Sequence, residues 1–238
     1  MTVWLYRPTK PTAPPPPLIV IGAAGSPMMW GMPLAESDRA EHLPWAERGY
    51  VVAAYSIDGA VADQHDGAQV VDAVRRFVRA DAGLANARAA LDFALAQVPA
   101  IDVHRIFAVG HSSASVIALR FGVEEPRVAA TVAFAPPVDV EGRLTDQLAF
   151  VESVAPGGRA VIHASSPLTF TAALRAKPVF VFYAEDDSVI EVPDVPAFFA
   201  AMQPAHAASK LVAVPSGDHY DSMIAEGIPA AAAWLAQR

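Results

Sequence analysis

A serine with small residues two positions away on each side is the feature best suited to chemistry. Gly110, Ser112 and Ala114 form a Gly-x-Ser-x-Ala pattern. Ile106–Val109 before it is apolar at every position, as in a buried parallel strand, and the residues after it have a helical pattern. A strand that reverses into a helix within one tight turn holds its central serine in strained backbone, and only small flanking residues leave room for the turn. The pattern therefore predicts a nucleophilic Ser112 on a strand–turn–helix elbow.

His219 is the candidate general base for this serine. It follows the last predicted strand, Leu211–Val214, behind Gly217. A serine hydroxyl is a poor nucleophile at neutral pH, and an imidazole with a pKa near 6.5 can accept its proton. His111, beside Ser112 in sequence, is interpreted as a residue that fixes the elbow or lines the pocket wall. The remaining histidines are interpreted as surface loop residues: His42, His65, His104, His163 and His206.

The third member of such a site is an acid that orients the imidazole and stabilises its charge. Asp187 is the first choice, because it lies in the turn after the penultimate predicted strand, Pro178–Tyr183. Asp186 beside it and Asp139, which follows an earlier strand, remain alternatives. Asp218 lies too close to His219 along the chain to bend back beneath the ring.

Backbone N–H groups and an apolar wall complete the predicted site. The oxyanion formed during attack on an ester needs two donors, for which we expect the N–H groups of Ser113 and Ala23. Met28, Met29, Trp30 and Met32 follow the small-residue loop that holds Ala23. They predict either ordinary core or an adaptable wall for an acyl or aromatic group.

The elements that must position these residues alternate between strand and helix. Short apolar strands separated by helical stretches predict an α/β fold with a doubly wound, mostly parallel sheet and helices on both faces. We expect one domain over residues 1–238, with a short cap of one or two helices at 138–177. The longest helical stretch, Val70–Val98, is expected to break near Gly83.

The order of serine, acid and histidine resembles that of the α/β-hydrolase superfamily. Ala184–Val189 looks like the acid turn of dienelactone-hydrolase-like and polyester-hydrolase-like esterases, and Ser166-Pro167-Leu168 is similar to a segment in prolyl-oligopeptidase-type hydrolases. Two residues depart from the superfamily pattern. Ala114 replaces the second elbow glycine, and Ile21 stands where a histidine often precedes the oxyanion loop.

The resemblance implies a serine esterase that cleaves carboxylic esters through an acyl-enzyme. The short cap and the wall of Met and Trp side chains favour small to medium acyl groups. The same three residues would also serve a serine peptidase or a thioesterase, and a non-catalytic binding protein on this scaffold is a further alternative. Labelling by a fluorophosphonate would separate the enzyme readings from the binding protein.

Composition excludes several other classes of function. Of 238 residues, 53% are hydrophobic and 18% charged, which predicts a large folded core. The net charge of −8 argues against binding to nucleic acid or anionic membranes. Because cysteine is absent and no histidine pair has metal-ligand spacing, we expect no metal and no cofactor.

The first residues read as a strand and not as a signal peptide, and no apolar run approaches the ~20 residues of a membrane span. We therefore expect a cytoplasmic protein, unless a signal has been removed, with a small-molecule ester as its partner.

Overall fold

One sheet runs through the part of the chain that the computed structural model describes, residues 1–9 and 13–238. Its strands are β1 (Val3–Tyr6), β2 (Leu18–Gly22), β3 (Val51–Tyr55), β4 (Ile106–His111), β5 (Ala130–Phe134), β6 (Val179–Ala184) and β7 (Lys210–Val214). They lie in the order β1-β3-β2-β4-β5-β6-β7. β1 pairs antiparallel with β3, and all other neighbouring pairs are parallel. The predicted mostly parallel sheet is confirmed.

Helices connect the strands and cover both faces of the sheet. They are α1 (Arg39–Glu47), α2 (Gly67–Arg79), α3 (Leu84–Gln97), α4 (Ser113–Glu124), α5 (Val140–Arg143), α6 (Leu148–Val154), α7 (Gly158–Ser165), α8 (Thr171–Leu174), α9 (Asp194–Ala201) and α10 (Ile228–Leu235). Two 3-10 turns (Glu36–Asp38 and Pro167–Phe170) and a π-helical turn (Met223–Gly227) complete the regular structure of the described residues.

The alternation of side chains along β2 shows how the core is divided. Leu18 and Val20 join an apolar cluster that includes residues of α2, α3 and α4, whereas Ile19 and Ile21 join a second cluster with residues of α1 and α10. All four side chains are almost fully buried, so both faces of the central strand are covered. β7 begins one residue before the predicted strand Leu211–Val214, and as an edge strand it is less buried than β2, with Lys210 exposed.

The predicted break in the long helical stretch is present at Gly83. This residue has φ +89° and directly precedes α3, and an added Cβ would lie 2.6 Å from Ile117 Cδ1. The backbone conformation therefore favours glycine at this position, and an added side chain would also displace the tip of Ile117 in α4. The stretch begins three residues earlier than predicted, at Gly67, because the Asp66 side chain accepts hydrogen bonds from the N–H groups of Ala68 and Gln69 and caps α2.

Residues 138–177 differ from the expected cap of one or two helices. They contain α5 to α8 and the 3-10 turn Pro167–Phe170. Val140, Leu148, Val151 and Ile162 belong to the same buried cluster as Leu18 of the central sheet. Much of the segment thus packs down on the rest of the fold, and only part of it borders the cleft described below.

Within the described ranges, the helices are all too short or too polar to cross a lipid bilayer.

Candidate active site

Ser112 occupies the single-residue turn between β4 and α4. Its φ and ψ angles are 52° and −127°, a strained conformation for a residue with a side chain. A Cβ added to Gly110 would lie 2.2 Å from the carbonyl oxygen of Ala114, so the turn closes only because Gly110 has no side chain. Ala114 itself is fully buried, with room for its methyl group. The predicted strand–turn–helix elbow is present, with a partly exposed Ser112 at its apex.

Asp187 and His219 meet at the carboxyl ends of β6 and β7. His219 Nδ1 lies 2.8 Å from Asp187 Oδ2, as the sequence predicted. The other carboxylate oxygen of Asp187 accepts hydrogen bonds from the N–H groups of Val189 and Ile190, at 2.8 and 3.1 Å. The Asp187 side chain is fully buried, and these bonds fix its carboxylate against the imidazole. A buried carboxylate held in this way stabilises the protonated ring that forms during base catalysis.

The two alternative acids have other partners. Asp186 accepts hydrogen bonds from the N–H groups of Gly217 and Asp218, at 3.2 and 2.9 Å. Asp218 in turn accepts from the N–H and hydroxyl of Ser188, at 2.8 and 2.9 Å. The loop that carries Asp187 and the loop that carries His219 are therefore tied together from both sides. Asp139 caps α5 by accepting a hydrogen bond from Gly142 N–H, and within the described residues it makes no hydrogen bond to His219.

The surroundings of His219 favour its neutral form. Burial lowers the pKa of His219 below the ordinary 6.5, the hydrogen bond that the ring donates to Asp187 opposes this shift, and the neighbouring His111 adds to it. The His219 side chain is 13% exposed. A neutral ring at pH 7 can accept a proton, which a general base must do. Within the described residues no hydrogen bond joins the Ser112 hydroxyl to His219; such bonds commonly tighten when substrate binds.

The prediction that His111 lines the pocket wall is wrong. Its ring is buried, with Nδ1 3.2 Å from Glu41 Oε1 and Nε2 3.1 Å from the main-chain carbonyl oxygen of His219. It therefore faces the backbone of the histidine loop and the acid of α1, and not the cleft. The sequence contained no signal for this contact, since Glu41 and His111 are 70 positions apart.

The prediction that Ala23 supplies an oxyanion donor is also wrong. Its N–H donates to the Tyr55 carbonyl at 2.9 Å and extends the pairing of β2 with β3 by one residue. The N–H groups of Ala24 and Gly25, which follow, donate to no acceptor in the described part of the chain. Ser113, the other predicted donor, is the first residue of α4, where N–H groups lack an intrahelical partner.

Ser26 ties this loop to the elbow, a role that the sequence did not indicate. Its N–H donates to Ser113 Oγ at 3.0 Å. Its hydroxyl accepts from Met28 N–H at 3.0 Å and donates to the Trp30 carbonyl. One side chain thus sets the path of the loop from Ser26 to Trp30, next to the residue that follows the nucleophile candidate.

A cleft of about 450 Å³ opens at Ser112. Of the predicted wall residues, Met28, Met29 and Trp30 line it, and Met28 is largely buried in the core as well. The prediction is wrong for Met32, which packs against the core cluster instead. Other lining residues come from segments that the sequence analysis did not assign to the site: Gln64, Arg143, Leu144, Gln147, Val189 and Ile190. His219 is not among the lining residues.

Arg143 joins two borders of this cleft. Its guanidinium donates to Glu191 Oε2 and to the Val189 carbonyl, both at 3.0 Å. The short helix α5 is thereby fastened to the segment that follows Asp187. The charge of Arg143 is balanced by Glu191, so the cleft wall is close to neutral at this point.

The remaining histidines mostly agree with their interpretation as surface residues. His65, His104 and His206 are exposed in loops, and His163 is exposed on helix α7. His42 is the exception: it lies in α1 and is 1% exposed, 3.3 Å from the Tyr6 hydroxyl. Burial lowers the pKa of His42 to about 4. No group of three or more acidic or histidine side chains in the described ranges is arranged to hold a metal ion.

Comparison with known proteins gives a family and a fold. The sequence pattern of the dienelactone hydrolase family matches residues 1–220. No curated protein sequence matched the chain.

Three solved structures illustrate the fold likeness. An esterase of the planctomycete Thermogutta terrifontis with bound butyrate shares 18% identity at a TM-score of 0.63, covering 99% of this chain and 88% of that one. An esterase of Pyrococcus furiosus shares 16% at 0.66, covering 93% and 82%. A puromycin-hydrolysing peptidase of Mycobacterium tuberculosis shares 17% at 0.72, covering 99% of this chain but 37% of that one. At these identities the likeness establishes the α/β-hydrolase fold.

Proposed function

The chain belongs to the dienelactone hydrolase family and is a hydrolase at that level, and we propose that it is a serine esterase for carboxylic esters of small to medium acyl groups. Ser112 is the nucleophile, His219 the general base and Asp187 the acid that orients it. The contact between His219 Nδ1 and the buried Asp187 carboxylate carries this proposal, because it gives the imidazole the orientation and charge stabilisation that base catalysis needs.

The proposed reaction has two halves. Ser112 Oγ attacks the ester carbonyl carbon while His219 Nε2 takes the hydroxyl proton, which gives a tetrahedral oxyanion. As the C–O bond to the alcohol breaks, the imidazolium returns this proton to the leaving oxygen, and an acyl group remains on Ser112. Water then attacks the acyl-enzyme with His219 again as base, which releases the carboxylic acid and restores the serine.

Backbone donors stabilise the oxyanion in both halves. Ser113 N–H supplies one donor from the start of α4. We assign the second to the segment Ala24–Gly25, since Ala23 N–H is engaged with Tyr55 and Gly25 lines the cleft. Removing one such donor from a hydrolase typically costs about 10²- to 10³-fold in kcat.

The acyl range follows from the walls of the cleft. Met28, Met29 and Trp30 offer apolar surface for a short acyl chain, and a volume of about 450 Å³ is typical of a small-molecule site. Structures of the Thermogutta terrifontis esterase hold butyrate and propionate, which is in line with this acyl size. That protein shares no more than 20% identity with this chain, so it supports the fold and illustrates the ligand size only.

A panel of matched substrates tests the leaving group. p-Nitrophenyl butyrate, the corresponding thioester and the corresponding anilide present the same acyl group, and the proposal predicts turnover of the ester well above that of the other two. Ser112→Ala is the control and should lose about 10³-fold or more in kcat at an unchanged melting temperature. Preference for the thioester or the anilide would replace the esterase assignment by a thioesterase or peptidase, and no turnover with any of them would favour a binding protein.

A further inference from the structure

Glu41 and His111 form a buried pair of ionisable side chains that the proposed reaction does not use. Both residues are almost fully buried, at 5% and 4% exposure. Glu41 projects from α1 and His111 is the last residue of β4, directly before Ser112. Buried carboxylates and imidazoles are costly unless they are paired and hydrogen-bonded. Their joint position beside the elbow calls for a reason beyond packing.

The partners of His111 determine where its protons lie. Nε2 is 3.1 Å from the His219 carbonyl oxygen, which can only accept, so Nε2 carries a proton. Nδ1 is 3.2 Å from Glu41 Oε1. An ionised carboxylate can only accept, and a bare Nδ1 can only accept too, so a neutral His111 facing an ionised Glu41 would bring two lone pairs together. One proton must therefore lie between the two side chains, and it belongs on His111 because imidazole is the stronger base, with an ordinary pKa near 6.5 against about 4.3 for a Glu carboxyl.

We propose that Glu41 holds His111 as a doubly protonated imidazolium, and that this buried ion pair positions His219 by a charge-assisted hydrogen bond to its main-chain carbonyl. The inference rests on the proposed function only in calling His219 the base. Hydrogen bonds from an ionised donor are about twice as strong as neutral ones, which suits a contact that must fix a loop. Asp187 thus orients the ring of His219 and His111 holds its backbone.

The cation of His111 also acts on the His219 ring. The two ring centroids are 4.7 Å apart, and Glu41 contacts the Nδ1 edge of His111 whereas the Nε2 edge contacts the His219 backbone. The nearer positive charge makes protonation of His219 less favourable, in agreement with the lowered pKa of His219, to which His111 contributes.

Other ionisable groups surround Glu41, His111 and His219 and influence their titration. Asp187 and Asp218 face His219 and favour its protonated form. The Tyr220 ring packs against His111 at 5.8 Å, and burial, followed by the charges of Glu41, Asp38 and Asp221, raises the pKa of its hydroxyl. His42 follows Glu41 on α1 and stays neutral through burial, and Arg39 on the same helix adds to that effect. These groups are unchanged in the Glu41→Gln variant described below, so a difference in titration between this variant and the wild type can be assigned to Glu41.

Glu41→Gln is the deciding variant because it removes the charge and keeps the shape. The Gln amide can donate to Nδ1 of a neutral His111 while Nε2 still donates to the His219 carbonyl, so every hydrogen bond remains satisfied. Glu141→Gln is the matched control. Glu141 pairs with His163, whose side chain is 59% exposed, and neither residue belongs to the proposed site.

Nitrogen NMR of the histidine rings reports which ring nitrogens carry a proton, in the protein without substrate. We expect both ring nitrogens of His111 to be protonated at pH 7 in the wild type, and Nδ1 to be unprotonated in Glu41→Gln. The His219 titration should move up by about one pH unit in that variant, at the lower end of what a neighbouring charge produces. The acid limb of kcat/KM should move with it, and Glu141→Gln should change neither.

The outcomes separate this inference from the proposed function. An unprotonated Nδ1 or Nε2 in wild-type His111 overturns the ion pair, even if Glu41→Gln fails to fold. A His219 titration that stays in place or moves down in Glu41→Gln overturns the influence of the pair on the base. Absence of esterase activity would remove the proposed function, while the NMR titrations of His111 and His219 would still decide the pair.

Discussion

The two borders of the cleft are held by different forces. One border, formed by Val189 and Ile190, continues into the loops that carry Asp187 and His219. It is fixed by hydrogen bonds between these loops: Asp186 binds the backbone of the histidine loop, and Asp218 binds Ser188 in return. The border formed by Met28, Met29 and Trp30 is apolar, and its main polar tie is Ser26. Directional bonds fix atoms to within a few tenths of an ångström, whereas apolar contacts tolerate changes of shape. The difference indicates fixed chemistry beside an adaptable acyl site.

The largest effect should come from the hydrogen-bonded border. Asp187→Asn removes the charge that stabilises the His219 imidazolium and allows the wrong tautomer, so kcat should fall by about 10³- to 10⁴-fold. Asp186→Asn is the matched control, since it weakens one tie between the loops and leaves the contact of Asp187 with His219. It should lose no more than about tenfold, because the Asn side-chain oxygen still accepts one of the two hydrogen bonds from the histidine loop. Steady-state kinetics on one p-nitrophenyl ester checks both, and equal losses would show that the acid is misassigned.

The apolar border should give smaller and chain-length-dependent effects. At about 0.8 kcal/mol per buried methylene, two more methylenes raise kcat/KM from acetate to butyrate by about 15-fold. Met29→Ala or Trp30→Ala should reduce that ratio severalfold with little effect on acetate. Met32→Ala is the control, because Met32 packs against the core cluster and does not line the cleft.

The kinetic series on p-nitrophenyl esters can also contradict this account of the apolar border. Steady improvement out to palmitate, unchanged by either substitution, would place the acyl group elsewhere. A large loss on acetate in Met29→Ala would mean that the apolar border takes part in the chemistry, and the contrast between the borders would fail.

The elbow, the acid and the histidine could be predicted from sequence because backbone geometry restricts their positions. Gly110 is required by the close approach of the Ala114 carbonyl, and this requirement is visible in the sequence as a small residue at a fixed spacing. The positions of Asp187 and His219 follow from the order of the strands, since the carboxyl ends of parallel strands meet at one sheet edge.

Features that depend on pairing between distant residues could not be predicted. Ala23 has its N–H in the sheet because the register of β2 and β3 places Tyr55 opposite Gly22. His111 turns away from the cleft because Glu41 reaches it from α1. His42 is buried because β1 packs Trp4 and Tyr6 against it, and no local pattern around His42 indicates this.

The number of helices in residues 138–177 was underestimated for another reason. Its helices are four to eight residues long, too short for a helical period to stand out in the sequence. Arg143 became a residue of the cleft only through its contacts with Val189 and Glu191, which lie 46 and 48 positions away.

The most direct test of the central claim, that Ser112 is a nucleophile activated by His219, is the site of covalent labelling by a fluorophosphonate. Intact-mass and peptide mass spectrometry would be run beside the hydrolysis of p-nitrophenyl butyrate at neutral pH. We expect one adduct per chain, on the Ser112 hydroxyl, forming in step with loss of hydrolysis, absent from Ser112→Ala and much slower in Asp187→Asn. An adduct on another residue that tracks the loss of activity, or full hydrolysis by Ser112→Ala, would contradict the assignment.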